Sequence, residues 1–167
     1  MSLPCVIDIE ASGFGRGSYP IEVGFVLPDG SARCMLVRPP EEWTHWDSQA
    51  QRLHRLSRPL LMRHGKSAVE VADLLNEQLA GRNVYCDNWA HDHAWLARLY
   101  QSAASSPAFR LRHLRELLDE EQVARWDEAC TKARAGIKAM RHRASNDARV
   151  LQRAWASLQP AADRGAA

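Results

Sequence analysis

The stretch "VIDIEASGFG" at residues 6–15 has the pattern of a buried β-strand followed by a glycine-rich turn. The strand nevertheless carries two acids, Asp8 and Glu10. Because residues two apart in a strand share a face, the two carboxylates project together, roughly 6–7 Å apart, while Ile7 and Ile9 face a core. The pair admits two interpretations. A divalent cation could offset the repulsion between the carboxylates, or the strand could face solvent, where the acids need no partner.

The composition indicates a globular protein. With 167 residues, 46% of them hydrophobic and 25% charged, the chain is predicted to form one domain over residues 1–158, followed by a frayed tail at 159–167. The net charge of +2 is too small to indicate a partner by itself. The basic segment 131–143 is compatible with phosphate contacts and equally with a solvated helix face or loop.

The cysteines and the apolar runs bear on the cellular compartment. The four cysteines have no C-x-x-C spacing, which argues against a zinc cluster. Cys5 and Cys86 lie in apolar runs and are predicted to be buried, in a reducing compartment. The N-terminus has no signal-peptide pattern, and no run approaches ~18 apolar residues. We therefore expect a cytoplasmic protein without membrane contact.

Three strands are predicted at the start of the chain, over residues 4–10, 20–27 and 32–38. The Asp-Gly pair of "PDG" between the second and third strands favours a hairpin turn, so the three strands should form an antiparallel meander. Residues 39–66 lack a sustained period and are predicted to be an ordered connection, with a short helix near 48–56.

The rest of the chain alternates helices and strands. "SAVEVADLLNEQLAG" at 67–81 is predicted to be a helix, since Ser67 and Glu70 have capping-box spacing and Gly81 can end it. Five further elements are predicted: a strand at 83–86, a helix from near Asp92 through "AWLARLYQS", an edge strand at 109–111, a helix at 112–119, and a last helix from Ser145 or Asn146 to about Leu158. This order indicates an α/β protein with a mixed five-stranded sheet and helices on its faces.

Two aspartates, Asp92 and Asp147, stand in the first turns of predicted helices. Each precedes apolar residues at helical spacing and therefore faces the sheet. Alternatively, Asp92 could be an N-cap or could interact with the helix dipole, whereas Ser145 or Asn146 could cap the last helix. Together with the strand pair, the two aspartates make four carboxylates that could converge.

His142 lies five residues before Asp147. On a continuous helix this spacing would separate the two side chains by about 140°, so His142 is predicted to lie on the loop before the helix, over the acids. A histidine there suits a general base that deprotonates water. The alternative is an ordinary surface histidine, one of seven in the chain.

Several stretches resemble motifs of the DnaQ-like 3′–5′ exonuclease family. "DIEASGFG" is similar to the first motif, D-x-E-T/S-T/S-G, and "PIEVG" at 20–24 to the following I-x-E-I-G strand. "YCDNWAHDHAWL" at 85–96 resembles the second motif, and "HRASNDARVL" at 142–151 the third, H-R/K-A-x-x-D-A. "LHRLS" at 53–57 and "HGKSAVEVADLL" at 64–75 resemble intervening stretches. The histidine marks the DEDDh branch. The resemblance covers roughly residues 4–157, and its general look is that of the small RNase T and oligoribonuclease-like members.

The resemblance implies a ribonuclease-H-like fold and metal-dependent hydrolysis at the 3′ end of single-stranded RNA or DNA. It implies that two Mg²⁺ or Mn²⁺ ions are held by four residues: Asp8, Glu10, Asp92 and Asp147. It makes His142 the general base. It brings a substrate-binding loop near the terminal nucleotide: Ala11, Ser12, Gly13 and Phe14. Phe14 would be a wedge between bases or, alternatively, a hydrophobic loop anchor. A homodimer is also implied.

Two positions depart from the family pattern, since Asp87 replaces a histidine and His91 a phenylalanine. Asp87 adds negative charge near the expected path of the substrate. Trp43, Trp46 and Trp89 could stack on bases or serve as structural anchors. Two other hypotheses stay open, a non-catalytic nucleic-acid-binding module on the same scaffold and a polymerase-associated proofreading subunit.

Overall fold

The computed structural model describes residues 2–137 and 142–160. Its centre is a five-stranded sheet in the order β3-β2-β1-β4-β5. The strands are β1 (Cys5–Ala11), β2 (Pro20–Val26), β3 (Ala32–Leu36), β4 (Asn83–Cys86) and β5 (Arg110–His113). The first three strands pair antiparallel, whereas β4 runs parallel to both β1 and β5. The predicted meander and the predicted mixed five-stranded sheet are confirmed.

The helices lie between and after the strands. They are α1 (Ser48–His54), α2 (Arg58–His64), α3 (Ala68–Leu79), α4 (Trp89–Ser102), α5 (Glu120–Ala124), α6 (Trp126–Ala135) and α7 (Ala144–Leu158). The capping box predicted for α3 is present, with Glu70 accepting from the Ser67 N–H at 2.8 Å. Gly81 follows that helix with φ +73°, the left-handed conformation that favours glycine. The short helix predicted near 48–56 is confirmed as α1.

The helix predicted at 112–119 is wrong. Residues up to His113 continue β5, because Arg112 pairs with Tyr85 of β4. Only a single 3-10 turn follows, at Leu114–Leu117, and it buries Leu114 completely. Pairing with a distant strand therefore overrides the local helical pattern.

Three helices are absent from the sequence prediction: α2, α5 and α6. α2 has clear local signals, since the Ser57 side chain accepts from the Leu60 N–H and proline occupies an early helical position. α6 lies partly in the basic segment, where Lys132 pairs with Glu128 across one helical turn. Of the other basic residues there, Lys138 and Arg141 lie outside the described residues.

Two predicted helix starts also need correction. α4 begins at Trp89, so Asp92 lies within its first turn and is not its N-cap. α7 begins at Ala144, with Arg143 as N-cap, and neither Ser145 nor Asn146 caps it. A glutamate side chain of β2 accepts from the first N–H of α7 and takes the place of an N-cap side chain.

Apolar side chains cover both faces of the sheet. Ile7 and Ile9 lie in the larger cluster, as predicted, together with buried residues of α3 and α4. Val6 lies in the second cluster with Trp126 of α6 and Trp155 of α7. Cys5 and Cys86 are buried, as predicted. Because Asp8 and Glu10 alternate with Ile7 and Ile9, they project from the same face of β1 as Val6, the face that α7 covers.

None of the helices in the described part of the chain is long and apolar enough to cross a membrane. Most of the tail predicted at 159–167 lies outside the described residues, which end at residue 160.

Candidate active site

A cavity of about 330 Å³ opens where the parallel strands β1 and β4 end. Carboxyl ends of neighbouring parallel strands meet at one edge of a sheet, which is where α/β proteins commonly bind ligands. All five residues predicted to do chemistry line this cavity: Asp8, Glu10, Asp92, His142 and Asp147. Three residues of the predicted substrate loop line it as well: Ala11, Gly13 and Phe14. Side chains from β1, α4 and α7 are therefore brought to one place.

α7 brings two predicted residues against β1. Ligand atoms of Glu10, His142 and Asp147 lie within 4.8 Å of one another, a spacing that one metal ion could bridge. Asp147 lies in the first turn of α7 and His142 just before the helix, as predicted. His142 has a left-handed backbone, with φ +56°.

α4 brings the fourth carboxylate from the other side. Asp92 is only 3% exposed, although it lies in the first turn of the helix. Burial is the main reason that its pKa rises to about 7. Asp87, which lies just after β4, also raises the pKa of Asp92 and lines the same cavity. Asp87, which stands where the family pattern has histidine, therefore adds negative charge beside the predicted metal ligands.

The acids of the cavity are poorly solvated and repel one another. Burial, followed by the charges of Asp92 and Glu10, holds the pKa of Asp8 well above its usual range. Burial and the charge of Asp147 raise the pKa of Glu10 to about 7. Hard oxygen ligands in this arrangement suit Mg²⁺ or Mn²⁺, because a divalent cation favours the ionised form of every carboxylate around it. The donor set therefore fits the metal that the sequence predicts.

Ser12 is the one predicted substrate residue that does not line the cavity. Its hydroxyl is hydrogen-bonded to Nδ1 of His45 at 2.9 Å and accepts from the Tyr19 N–H at 3.2 Å. Its own N–H donates to the Tyr19 carbonyl, and its carbonyl accepts from the Asp47 N–H. These hydrogen bonds hold the loop after β1 in place. Gly13 beside it has φ +138°, and a Cβ there would lie 2.6 Å from Cβ of Asp47, so the loop requires glycine.

Phe14 forms an exposed aromatic rim at the mouth of the cavity. Its side chain is 64% exposed and meets His91 edge-on, with 5.0 Å between ring centroids. His91 in turn stacks on Trp95 at 5.5 Å. The histidine at position 91 therefore keeps an aromatic contact at a place where the family pattern has phenylalanine. An exposed ring is suited to contact a nucleobase.

Among the titratable residues of the cavity, the sequence did not predict His54 and Arg134 as site residues. His54 is 2% exposed, and its Nδ1 accepts from the Leu56 N–H at 3.0 Å, so its proton is carried on Nε2. That Nε2 is buried without a hydrogen-bond partner in the described part of the chain. Arg134 of α6 lies 3.7 Å from Asp147. The sequence signals for these two residues were the histidine of "LHRLS" and the basic segment 131–143. Neither signal indicates by itself which groups the side chain contacts.

The three tryptophans considered for base stacking differ in exposure. Trp43 is buried and stacks on Tyr19, whereas Trp46 donates to Gln51 at 2.7 Å. Trp89 is 40% exposed and stacks on His93 at the start of α4. Trp43 is therefore a structural anchor, and Trp89 is the most accessible of the three.

The fold is similar to that of solved exonuclease I structures. A zinc-bound complex of E. coli ExoI with single-stranded DNA matches with a TM-score of 0.67 at 12% sequence identity, over 94% of this chain and 39% of the other. A second exonuclease I structure gives a TM-score of 0.68 at 12% identity, over 90% and 39% of the two chains. Exonuclease I from Methylocaldum szegediense gives 0.56 at 13% identity, over 75% and 30%.

These similarities establish the fold. The chain spans well under half the length of the exonuclease I structures that it matches. No protein-family model matches the chain, and no curated protein matches its sequence. The shared architecture, a mixed five-stranded sheet with helices on both faces, is the ribonuclease-H-like fold. The predicted fold class is thus confirmed.

Proposed function

We propose that this chain is a metal-dependent 3′–5′ exonuclease of the DEDDh type that acts on single-stranded RNA or DNA ends. One observation carries the proposal: the five residues that the motifs single out, separated by up to 139 positions in the sequence from Asp8 to Asp147, line one cavity. The fold similarity to exonuclease I, solved with single-stranded DNA, supports the substrate class.

Four carboxylates would hold two Mg²⁺ or Mn²⁺ ions: Asp8, Glu10, Asp92 and Asp147. When bound, the cations supply Lewis acidity at the scissile phosphate and lower the pKa of the attacking water. The raised pKa values of the buried acids support this role, since cations would offset both the burial and the mutual repulsion that disfavour their ionised forms.

His142 acts as the general base. It accepts a proton from water while the water oxygen forms a bond to the phosphorus of the terminal phosphodiester. The bond between phosphorus and O3′ of the preceding nucleotide breaks, and that oxygen leaves with a proton from solvent. The products are a nucleoside 5′-monophosphate and a strand one nucleotide shorter with a free 3′-hydroxyl.

The walls of the cavity provide groups for the strand end. The backbone of Ala11 and Gly13 lies beside the carboxylates, and the Phe14–His91 rim can pack against the terminal base. His54 presents a buried N–H donor, and Arg134 offers a guanidinium to a phosphate once Asp147 is neutralised by cations. We further propose that the protein is similar to the small RNase T and oligoribonuclease-like members and that it is a cytoplasmic homodimer.

Purified protein tests the proposal on 5′-labelled single-stranded RNA and DNA, overhang duplexes and dinucleotides, with Mg²⁺ or Mn²⁺. We expect single nucleotides to be removed from a free 3′ end but not from a 3′-blocked end. EDTA and the Asp8→Asn variant should abolish the reaction. A wild-type protein inert on every substrate would contradict the proposal.

The same samples separate the alternatives. Binding of oligonucleotides without any product would indicate a non-catalytic module, and co-purification with a polymerase would indicate a proofreading subunit. Light scattering determines whether the protein is a homodimer.

A further inference from the structure

A buried carboxylate outside the predicted metal site, Glu22 of β2, caps the helix that carries Asp147. Glu22 is 0% exposed and lies opposite Glu10 in the β1–β2 pairing. A buried charge needs partners, and both of its oxygens have them. Oε1 accepts from Nε of Arg143 at 2.8 Å and lies 2.7 Å from Nη2 of the same guanidinium, while Oε2 accepts from the Ala144 N–H at 2.8 Å.

These contacts replace the side-chain cap that α7 lacks at its start. The first N–H groups of a helix have no intrahelical acceptor and usually bind a side chain of the N-cap residue. The N-cap here is Arg143, whose side chain makes no capping hydrogen bond in the described structure. Glu22 accepts from the first helical N–H instead, and its negative charge is favourable at the positive end of the helix dipole. A strand residue far away in sequence therefore caps the helix.

The same contacts hold an unfavourable backbone conformation. His142 adopts φ +56°, which costs energy for a residue with a Cβ. It directly precedes Arg143, whose guanidinium and following peptide group are both held by Glu22. Fixing the chain on one side of this turn restricts the positions that the His142 side chain can reach.

Gly24, two residues along β2, sets the depth at which α7 lies. A Cβ on Gly24 would be 2.1 Å from the Ser145 backbone nitrogen, so the strand and the helix are in direct backbone contact. Glu22 and Gly24 thus fix the first turn of α7 on the sheet. Asp147 lies in that turn, and its carboxylate is within 4.8 Å of Glu10 and His142.

We propose that Glu22 is a positioning residue: through Arg143 and the first N–H of α7, it holds His142 and Asp147 in register with the carboxylates of β1. The inference rests on the proposed function and extends it to a residue that does not line the cavity. It concerns geometry, because the Glu22 side chain points at the helix start.

The matched variants are Glu22→Gln and Gln152→Met. Glutamine keeps an acceptor for the Ala144 N–H but loses the ion pair with Arg143. Gln152 lies two turns further along the helix and also anchors α7 to the sheet region. Its Nε2 donates to the carbonyls of Pro4 and Leu27. If anchoring α7 matters only for folding, the two variants should behave alike.

For Glu22→Gln we expect kcat to fall by about 10²-fold at saturating metal, the size of effect that a small misplacement of catalytic groups produces. KM for the oligonucleotide should change little, because the loop before β2 is untouched. Mn²⁺ affinity, measured by electron paramagnetic resonance, should fall, and hydrogen exchange should accelerate at the amides of residues 143–147. Gln152→Met should lower Tm by a few degrees while kcat and Mn²⁺ affinity stay at wild-type values.

Two results would overturn the inference. One is a folded Glu22→Gln protein with wild-type kcat, Mn²⁺ affinity and exchange, and the other is an equal loss of kcat in Gln152→Met. If Glu22→Gln does not fold, Arg143→Met keeps the helix cap and should show the same pattern with a smaller loss. An inactive wild type contradicts the proposed function alone, since Mn²⁺ affinity and hydrogen exchange still report on positioning.

Discussion

The two faces of β1 show how one strand serves stability and chemistry separately. Ile7 and Ile9 are 0% and 5% exposed and pack in the larger apolar cluster. Asp8 and Glu10, one residue away on the other face, are held in an environment that raises the pKa of both carboxyls. The first face stabilises the fold, and the second lowers the stability of the metal-free protein. The comparison shows that a single strand combines an apolar face that stabilises the fold with a face of buried acids whose charges are unfavourable in the folded protein.

The largest effect should come from the acid face. Asp8→Asn keeps the size of the side chain but removes a charge at the centre of the carboxylate group, so we expect kcat to fall by about 10³-fold or more. The measurement is single-nucleotide release from a 5′-labelled strand with Mg²⁺. The control is Asp73→Asn, an exposed acid on α3, which should leave kcat unchanged. Full activity of Asp8→Asn would contradict the metal assignment.

The next effect should come from the apolar face. Ile7→Ala leaves a cavity beneath a fully buried position, and we expect a loss of about 2–5 kcal/mol in the free energy of unfolding. Urea denaturation followed by fluorescence measures it. Ile7→Val, which removes one methyl group, should cost only about 0.5–1.5 kcal/mol. A loss below 1 kcal/mol for alanine would show that this face contributes less than its burial indicates.

The acid face should also make stability depend on pH when metal is absent. The pKa of Glu10 in the folded protein is about 7, above its ordinary value of 4.5. Between these values the folded state binds more protons than the unfolded state, so the free energy of unfolding should fall as pH rises. The penalty is absent below about pH 4.5 and complete above about pH 7, and we expect roughly 1–3 kcal/mol.

Glu10→Gln isolates this contribution. In EDTA, the variant should be more stable than the wild type at pH 8 and equally stable at pH 4, because glutamine does not titrate. Added Mg²⁺ should stabilise the wild type more than the variant. A parallel pH dependence of both proteins would contradict the assignment to Glu10.

The smallest effect should come from the aromatic rim. Phe14→Ala removes an exposed ring, so the fold should keep its stability while KM for single strands rises by roughly 10-fold, the equivalent of about 1–3 kcal/mol of stacking. Steady-state kinetics on oligonucleotides and a thermal melt check both statements. Val69→Ala, at another exposed apolar residue, is the control. An unchanged KM would favour the loop-anchor interpretation of Phe14.

Much of the fold was predictable because its signals are local. The acid-bearing strand, the capping box of α3 and the apolar stripes of α4 and α7 all follow from short-range pattern. The residues near 112 were mispredicted because pairing with β4 decides their conformation. α6 was missed because its apolar contribution is concentrated in residues such as Trp126, which is 2% exposed, within a mostly charged segment.

The candidate site was likewise predictable where its signals are local and unpredictable where distant contacts decide. Motif spacing identified five of the residues that line the cavity, and their chemical roles remain predictions. The orientation of Ser12 and the cap that Glu22 provides could not be predicted, because their partners lie 33 and 122 positions away. Contacts of this range depend on how the whole chain packs.

Under the proposed function, the hydrogen bonds of Ser12 affect how the loop after β1 would bind the 3′ end of a nucleic acid. Through Tyr19, His45 and Asp47, they connect the loop after β1 to two other segments of the chain. The conformational entropy of this loop is therefore lost once, when the protein folds, and not again at each encounter with a nucleotide. A preorganised loop of this kind favours binding by lowering the cost of ordering, without adding a single contact to the ligand.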